Sequence, residues 1–288
     1  MSDKSILVEN LTYRYGDLVA VDHISFEVGS GEILGFLGPN GAGKSTTQKM
    51  LTGQLRPAEG KAALLGFDVV KDTHKIRERI GVCFEQTNLY EQMNALDNLG
   101  LFAQLFGVKD FNGYALLKRV GLAGREKDKV SGYSKGLKQR LMVARSLVNR
   151  PDILFMDEPT SGLDPVSSAA IDSIILEERK RGATVFLATH DMWEADKLCD
   201  RVAFINQGKL AALDTPHNLK QRYGKRSLVA EVAGAGGRLD KKEISMDTPG
   251  TAGAVEELFS SQKVVTLHSE EATLEDIFIQ VTGRRLSE

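Results

Sequence analysis

The 288-residue sequence predicts an α/β fold built on a parallel sheet with covering helices, and three observations carry that prediction. The apolar run Gly31–Leu37 leads into the glycine-rich stretch Gly38-Pro39-Asn40-Gly41-Ala42-Gly43-Lys44-Ser45, and then into the helical start Thr46–Leu51. A second apolar run, Ile153–Met156, ends in the acidic pair Asp157-Glu158. From Pro151 to Asn206 strand-like and helix-like stretches alternate, with Thr184–Thr189 and Arg201–Ile205 as further strands. Such alternation argues for parallel strands under helices. Short, wholly apolar runs suit central strands that are covered on both faces.

Taken in order, Ser5–Val28 comes first. Its apolar residues, among them Val8, Leu11, Val21, Ile24, Phe26 and Val28, fall in alternating stretches broken by Gly16-Asp17 and Gly29. Period-two spacing predicts an antiparallel sheet ahead of the glycine loop. The loop itself fits the pattern G-x-x-x-x-G-K-[ST], in the strand–loop–helix context that gives the pattern its meaning. Glycines let successive backbone N–H groups turn toward an anion, and the helix N-terminus adds the positive end of its dipole. A nucleoside triphosphate is therefore expected against Gly38, Pro39, Asn40, Gly41, Ala42, Gly43 and Thr46. Lys44 is expected to reach the β- and γ-phosphates and Ser45 to hold Mg²⁺.

From Asn88 to Lys129 the pattern is helical, which places a helical subdomain at about 88–140. Leu96, Leu99, Leu101, Phe102, Leu105 and Phe106 form one predicted apolar stripe, and Leu116, Leu117 and Val120 a second. Ile153–Met156 then delivers Asp157 and Glu158 to the C-terminal end of a parallel strand, where open α/β sheets place their ligands. Asp157 is positioned there to hold Mg²⁺, and Glu158 to polarise an attacking water.

Past Gly224 the composition changes, dividing the chain into residues 1–222 and a small α+β extension at 225–288. Val232–Gly253, rich in Gly, Ala and charge, reads as irregular. Lys263–His268 reads as a strand. Thr273–Thr282 reads as a helix with Leu274, Ile277, Phe278 and Val281 on one face, and Thr273 with Asp276 supplies an N-cap. No internal repeat is visible, and the phosphate-loop pattern occurs once.

Composition removes several function classes. Charged residues at 26% and hydrophobic ones at 42% describe an ordinary globular chain. A formal charge of −2 offers nucleic acid no general attraction; a DNA binder typically neutralises about six to ten phosphates from a basic face. Cys83 and Cys199 lack paired metal-ligand spacing and fit packing roles in a reducing compartment. Neither a signal peptide nor an apolar stretch of about 18 residues is present, so work at a membrane is expected to require another chain that spans it.

Three further stretches are informative together. Tyr133-Ser134-Lys135-Gly136-Leu137-Lys138-Gln139-Arg140 resembles the ABC signature, Leu-Ser-Gly-Gly-Gln followed by a basic helix start. Ser161-Gly162-Leu163-Asp164 resembles the D-loop, and Thr189-His190-Asp191 the switch-histidine loop. With the phosphate loop and the acidic pair they stand in family order, and over roughly the first 220 residues the chain resembles ABC transporter ATPase subunits.

The resemblance implies a P-loop ABC ATPase core that hydrolyses ATP to ADP and phosphate, with an N-terminal antiparallel β subdomain and a helical subdomain. It implies that Tyr15 stacks on adenine, although Tyr13 shares its strand face and packing would explain both. It implies that Ser134, Gly136 and Asp164 serve a site completed by a second copy of the chain, or by a paralogous ATPase, joined head-to-tail. His190 would contact the γ-phosphate and Glu158. A transmembrane permease would dock a short helix on the helical subdomain, holding the chain at the cytoplasmic face of a membrane. Two positions depart from the pattern. Lys135 stands where the family has its first signature glycine, and the glutamine-loop position falls on Glu85 with Gln86 one residue later. Either Glu85 ligates the cation through oxygen or a one-residue shift brings Gln86 into place. The Leu274-Glu275-Asp276-x-Phe278 tail resembles exporter ATPases that pair with a separate permease. Import ATPases, and non-transport ABC ATPases of ribosomes or DNA, are the alternatives.

Overall fold

The computed structural model describes residues 4–234, 238–246 and 248–284. The chain divides into two compact units, Met1–Leu213 and Asp214–Glu288. The first unit opens with β1 (Lys4–Tyr15), β2 (Leu18–Gly29), β3 (Ile33–Leu37), α1 (Lys44–Leu51), β4 (Glu59–Leu64) and β5 (Phe67–Asp68). After α2 (Thr73–Arg79) and β6 (Ile80–Cys83) come three helices, α3 (Ala95–Leu105), α4 (Gly113–Arg119) and α5 (Lys135–Ser146). Strands and helices then alternate through β7 (Ile153–Asp157), α6 (Pro165–Lys180), β8 (Thr184–Thr189), α7 (Met192–Leu198), β9 (Arg201–Asn206) and β10 (Lys209–Asp214).

Two sheets result. One is four-stranded in the order β2-β1-β4-β5, and β1 runs antiparallel to both β2 and β4. The other is six-stranded in the order β10-β9-β3-β8-β7-β6, and its strands from β9 to β6 pair in parallel. Every residue of β3, β7 and β8 is buried, which is why each reads as an unbroken apolar run. In β1 and β2 the alternation seen in the sequence puts Ile6, Val8, Leu11, Val21, Ile24, Phe26 and Val28 inside. The inner face of the antiparallel sheet meets the parallel sheet in one core. Phe26 and Phe36 stack with ring centroids 5.5 Å apart, Phe36 and Phe186 at 5.1 Å, and Phe155 and Phe186 at 5.5 Å. Phe186 sits at the centre of this cluster and is fully buried. Phe186→Ala is expected to lower unfolding stability by about 3–5 kcal/mol, read as a shifted midpoint in urea denaturation with an unchanged slope.

The helical subdomain departs in detail from its predicted stripe. Its buried face is Ala95, Asn98, Leu99 and Ala103, whereas Leu105 and Phe106 are exposed. Ala103 in the last turn of α3 is still buried while Leu105 at the helix end is not, so apolar character alone assigned too many residues to the core. Asn94 starts α3 by accepting the Asp97 amide at 2.8 Å, and Asn112 does the same for α4 through the Ala115 amide at 2.9 Å.

The second unit contains α8 (Pro216–Tyr223), β11 (Arg226–Ala233), β12 (Leu239–Ser245), α9 (Thr251–Ser261), β13 (Val264–Glu271) and α10 (Leu274–Thr282). It begins at 214 rather than after 222 because α8 packs with α10. The capping box of α10 forms in full, with Thr273 and Asp276 each bonding the other's backbone amide. The stretch read as irregular is partly regular. β12 pairs antiparallel with β11 from Ser227↔Ser245 to Ala233↔Leu239, and α9 begins at Thr251; residues 235–237 and 247 lie outside the described residues. β12 is an exposed edge strand of sequence LDKKEIS. Charge suits such an edge but hides the strand from a hydrophobicity pattern, since its order comes from backbone pairing.

Candidate nucleotide site

Parallel register decides what meets at the C-terminal edge of the sheet. Leu37 lies beside Thr189, Asp157 beside Ala188 and Cys83 beside Met156. The chain leaving β3, β6, β7 and β8 therefore enters one region. There a cleft of about 390 Å³ brings Pro39, Asn40, Gly41, Gly43, Lys44, Ser45 and Thr46 together with Tyr15, Glu85, Asp157 and Glu158. Gln86, the alternative to Glu85, is not among the residues that line it.

The loop from Gly38 to Gly43 needs its glycines at two places in particular. Gly43 has φ +110° and caps α1, and a Cβ there would stand 2.6 Å from the Ala20 carbonyl oxygen. A Cβ on Gly38 would collide with the Ile205 carbonyl oxygen. Ala42 is buried beneath the loop, and its carbonyl accepts the Gly208 amide at 2.9 Å. Gly38 and Ala42 thus support the loop from behind. Lys44, only 6% exposed, donates through Nζ to the Gly38 carbonyl at 2.6 Å and stands 3.4 Å from Glu158 Oε1.

Two adjacent carboxylates do different things. Burial is the main cause that pushes the Asp157 carboxyl up to about 6; the Ser45 hydroxyl bonded to it works against this, and the Glu85 and Glu158 charges add to it. Asp157 Oδ1 is buried without a hydrogen-bond partner. A buried acid with a spare oxygen beside a serine hydroxyl fits a hard divalent cation. Among the described residues no group of three or more His, Cys, Asp or Glu side chains could hold a metal ion by itself. Magnesium suits such a place because it takes one or two protein oxygens and fills its shell from phosphates and water.

Glu158 is held firmly. Its φ of +48° is left-handed, a conformation that costs a non-glycine residue about 1–3 kcal/mol and recurs at functional sites. Its amide donates to the Ala188 carbonyl at 2.8 Å. Glu158 Oε2 lies 2.8 Å from His190 Nδ1 and accepts from the Thr189 hydroxyl at 3.3 Å. Oε1 has no hydrogen-bond partner and faces Lys44. One oxygen is anchored by hydrogen bonds, and the other faces the Lys44 ammonium.

Tyr15 stands at the cleft, 47% exposed, with its ring edge-on to Tyr13 at 4.8 Å. Ser134 and Gly136 lie elsewhere, at the start of α5, where the Ser134 hydroxyl accepts the Leu137 amide. A Cβ on Gly136 would be 3.0 Å from Ser167 Oγ and 3.8 Å from Asp164 Oδ2, so the signature and D-loop stretches adjoin. The Lys135 ammonium fills the place a Cβ on Gly162 would take. Asp164 caps α6, accepting the Val166 and Ser167 amides and the Ser167 hydroxyl; the Ser167 hydrogen bonds keep its carboxyl below its ordinary value. None of these three residues lines the glycine-loop cleft of its own chain.

One part of the surroundings was not read from the sequence. Thr160 Oγ1 donates to Glu194 Oε1 at 2.8 Å, and both Glu194 and Asp172 are buried. The available signal was an acidic residue at an inward helical position, Asp172 beside Ile171 and Ile175, and Glu194 beside Ala195 and Leu198.

Residues 21–161 match the family model described as ABC transporter. The fluoroquinolones export ATP-binding protein of Mycobacterium tuberculosis is 46% identical over 284 residues, covering 98% of this chain and 94% of that protein. The chain belongs to the ABC transporter family. A solved ATP-binding subunit of an ABC transporter superposes with a TM-score of 0.71 at 27% identity, over 76% of this chain and 92% of that one. A dimeric ATP-binding cassette in a post-hydrolysis state, bound to ADP and Pi, gives a TM-score of 0.67 at 26% identity, over 73% of this chain and 98% of that one. This ABC subunit is an ATP-binding ATPase with the P-loop ABC ATPase fold.

Proposed function

We propose that this chain drives export of small drug-like molecules through a separate transmembrane permease, hydrolysing ATP in the glycine-loop cleft. The observation that carries the site assignment is the arrival of Lys44, Asp157, Glu158 and Glu85 at one sheet edge around that cleft. Export and a drug-like cargo are supported by the near full-length likeness to a fluoroquinolones export protein.

Phosphoryl transfer needs positioning and charge neutralisation more than covalent help. The loop amides and Lys44 take the β- and γ-phosphates. Ser45 and Asp157, with Glu85 beside them, would hold Mg²⁺, which would supply charge neutralisation for the phosphates. Glu158 accepts a proton from the attacking water through Oε1, while His190 and Thr189 hold Oε2 still. Tyr15 offers its exposed ring to adenine, since an aromatic face is a platform for any base.

Ser134, Gly136 and Asp164 sit away from their own chain's cleft, and the family resemblance assigns them to the nucleotide of a second copy docked head-to-tail. The dimeric cassette that shares the fold supports two copies meeting. A groove of about 320 Å³ between the end of β6 and α3, lined by Val82, Phe84, Phe102, Phe106 and Arg145, suits the permease's docking helix. Arg145 there stacks on Phe102 at 4.7 Å and donates to the Asn88 carbonyl at 2.7 Å. A helix in this groove touches the segment that runs from β6 to Glu85, and so reaches the cleft in one step. Among the described residues no helix is long and apolar enough to cross a membrane, and the spanning role is assigned to the permease, with this chain peripheral at the cytoplasmic face.

The test is co-purification in detergent of Glu158→Gln with MgATP, beside the same variant carrying Phe106→Asp. A polytopic membrane chain retained by the first and lost by the second is expected. Recovery of ribosomes or nucleic acid instead would overturn the transport assignment.

A further inference from the structure

Beside the nucleotide cleft lies a second cavity, about 240 Å³, lined in part by Glu158, Thr160, Asp172, Thr189, His190 and Glu194. Glu194, in the first turn of α7, is 3% exposed. Oε1 accepts from the Thr160 hydroxyl at 2.8 Å, and Oε2 is buried with no hydrogen-bond partner. The Thr189 hydroxyl adjoins the same carboxyl. That hydroxyl accepts the Asp191 amide at 3.0 Å and lies 3.3 Å from Glu158 Oε2, to which it donates.

A threonine hydroxyl has one proton to give. An ionised Glu194 can only accept, so it competes with Glu158 for the Thr189 proton. A protonated Glu194 is itself a donor and leaves that proton on the Glu158 side. We propose that Glu194 works as a neutral carboxylic acid, a positioning residue that directs the Thr189 hydroxyl onto Glu158 and ties Thr160 of the adjoining loop to α7. The inference rests on the reading of Glu158 as the general base.

The charges around Glu194 agree. Burial, the largest cause, disfavours its ionisation, as do Asp172 from α6 and Asp191 ahead of α7; they outweigh the Thr160 and Thr189 hydrogen bonds, which favour the ionised form, and the carboxyl is pushed up to about 7. Asp172 Oδ1 is likewise without a partner, while its Oδ2 holds Lys197 of α7 at 2.8 Å. Cys199, past the end of α7, is buried and kept as a thiol, its pKa raised chiefly by burial. Of the cations close by, Lys197 is taken by Asp172 and Lys44 faces Glu158; His190 is engaged by Glu158. None of them compensates a charge on Glu194. A carboxyl with a raised pKa holds its proton below that value and loses it as the pH rises through it, so the positioning is expected to fail on the alkaline side.

The experiment is steady-state ATP hydrolysis by the full-length protein from pH 6 to 9, for wild type, Glu194→Gln and Glu194→Ala. Gln is neutral and a donor, and is expected to keep kcat within about twofold at pH 6.5 while removing the part of the alkaline decline that begins near pH 7. Ala is expected to lower kcat roughly tenfold with little change in KM, the pattern of a lost transition-state interaction. If Glu194→Gln falls as far as Glu194→Ala at pH 6.5, or shares the wild-type pH profile, the proposal is overturned. Glu158→Gln, assayed alongside, separates the layers: if it hydrolyses ATP at the wild-type rate, the general-base reading fails first, whatever Glu194 does.

Discussion

Glu158→Gln is expected to bind MgATP as the wild type does and to hydrolyse it about 10²- to 10⁴-fold more slowly, the range over which a positioned general base contributes. Glutamine keeps the shape that the site has already fixed. The left-handed backbone and the hydrogen bond from the residue's amide to the Ala188 carbonyl do not depend on side-chain charge, and a glutamine oxygen can still accept at His190. What goes is the ability of the free oxygen to take a proton from water. Lys44, 3.4 Å from that oxygen, then has one anion fewer to share and is fully available to the γ-phosphate. The variant should therefore accumulate the ATP-bound dimer, visible as a MgATP-dependent doubling of mass in sedimentation. Wild-type turnover in single-turnover assays would remove Glu158 from the base role and leave the fold assignment untouched.

Much of this site could be read in advance because its signals are local. The runs Ile33–Leu37, Ile153–Asp157 and Thr184–Thr189 read as buried strands because all their residues are buried. Gly43 announces itself because only glycine takes φ +110° against the Ala20 carbonyl. The unread parts depend on what the chain does far away. β12 carries mostly charged side chains and exists through its pairing with β11. Helix α8 belongs to the second unit because α10, more than fifty residues later, packs on it. Leu105 and Phe106 looked like core and are surface; Phe106 lines the groove proposed above for the permease helix. The Thr160–Glu194 bond joins residues 34 apart, and no motif spacing marks it. Register favoured Glu85 over Gln86 without excluding either, and of the two it is Glu85 that lines the cleft.

Lys44→Ala is expected to abolish hydrolysis and to weaken nucleotide binding enough to remove its stabilising effect. For the wild type, ATP at 100 times its Kd adds about 2.7 kcal/mol to unfolding stability by mass action; for Lys44→Ala that increment should vanish at the same concentration. The variant tests a second consequence of the geometry, in the absence of nucleotide. Lys44 Nζ donates to the Gly38 and Pro39 carbonyls and faces the otherwise unpartnered Glu158 Oε1 in a site where both side chains are 6% exposed. Removing it leaves a buried carbonyl and a buried carboxylate without their donor, a loss of roughly 1–3 kcal/mol for an unsatisfied buried group. Adding Glu158→Gln to Lys44→Ala should recover part of that loss, because the stranded charge goes with it. The double-mutant cycle, measured by urea denaturation without nucleotide, then reports a coupling between the two residues that owes nothing to ATP. Strict additivity would mean that the lysine serves only the phosphates. A recovered fraction would mean that the resting site holds Lys44 and Glu158 as a pair, and that ATP enters by taking the lysine away from the glutamate, freeing Glu158 at the moment its substrate arrives.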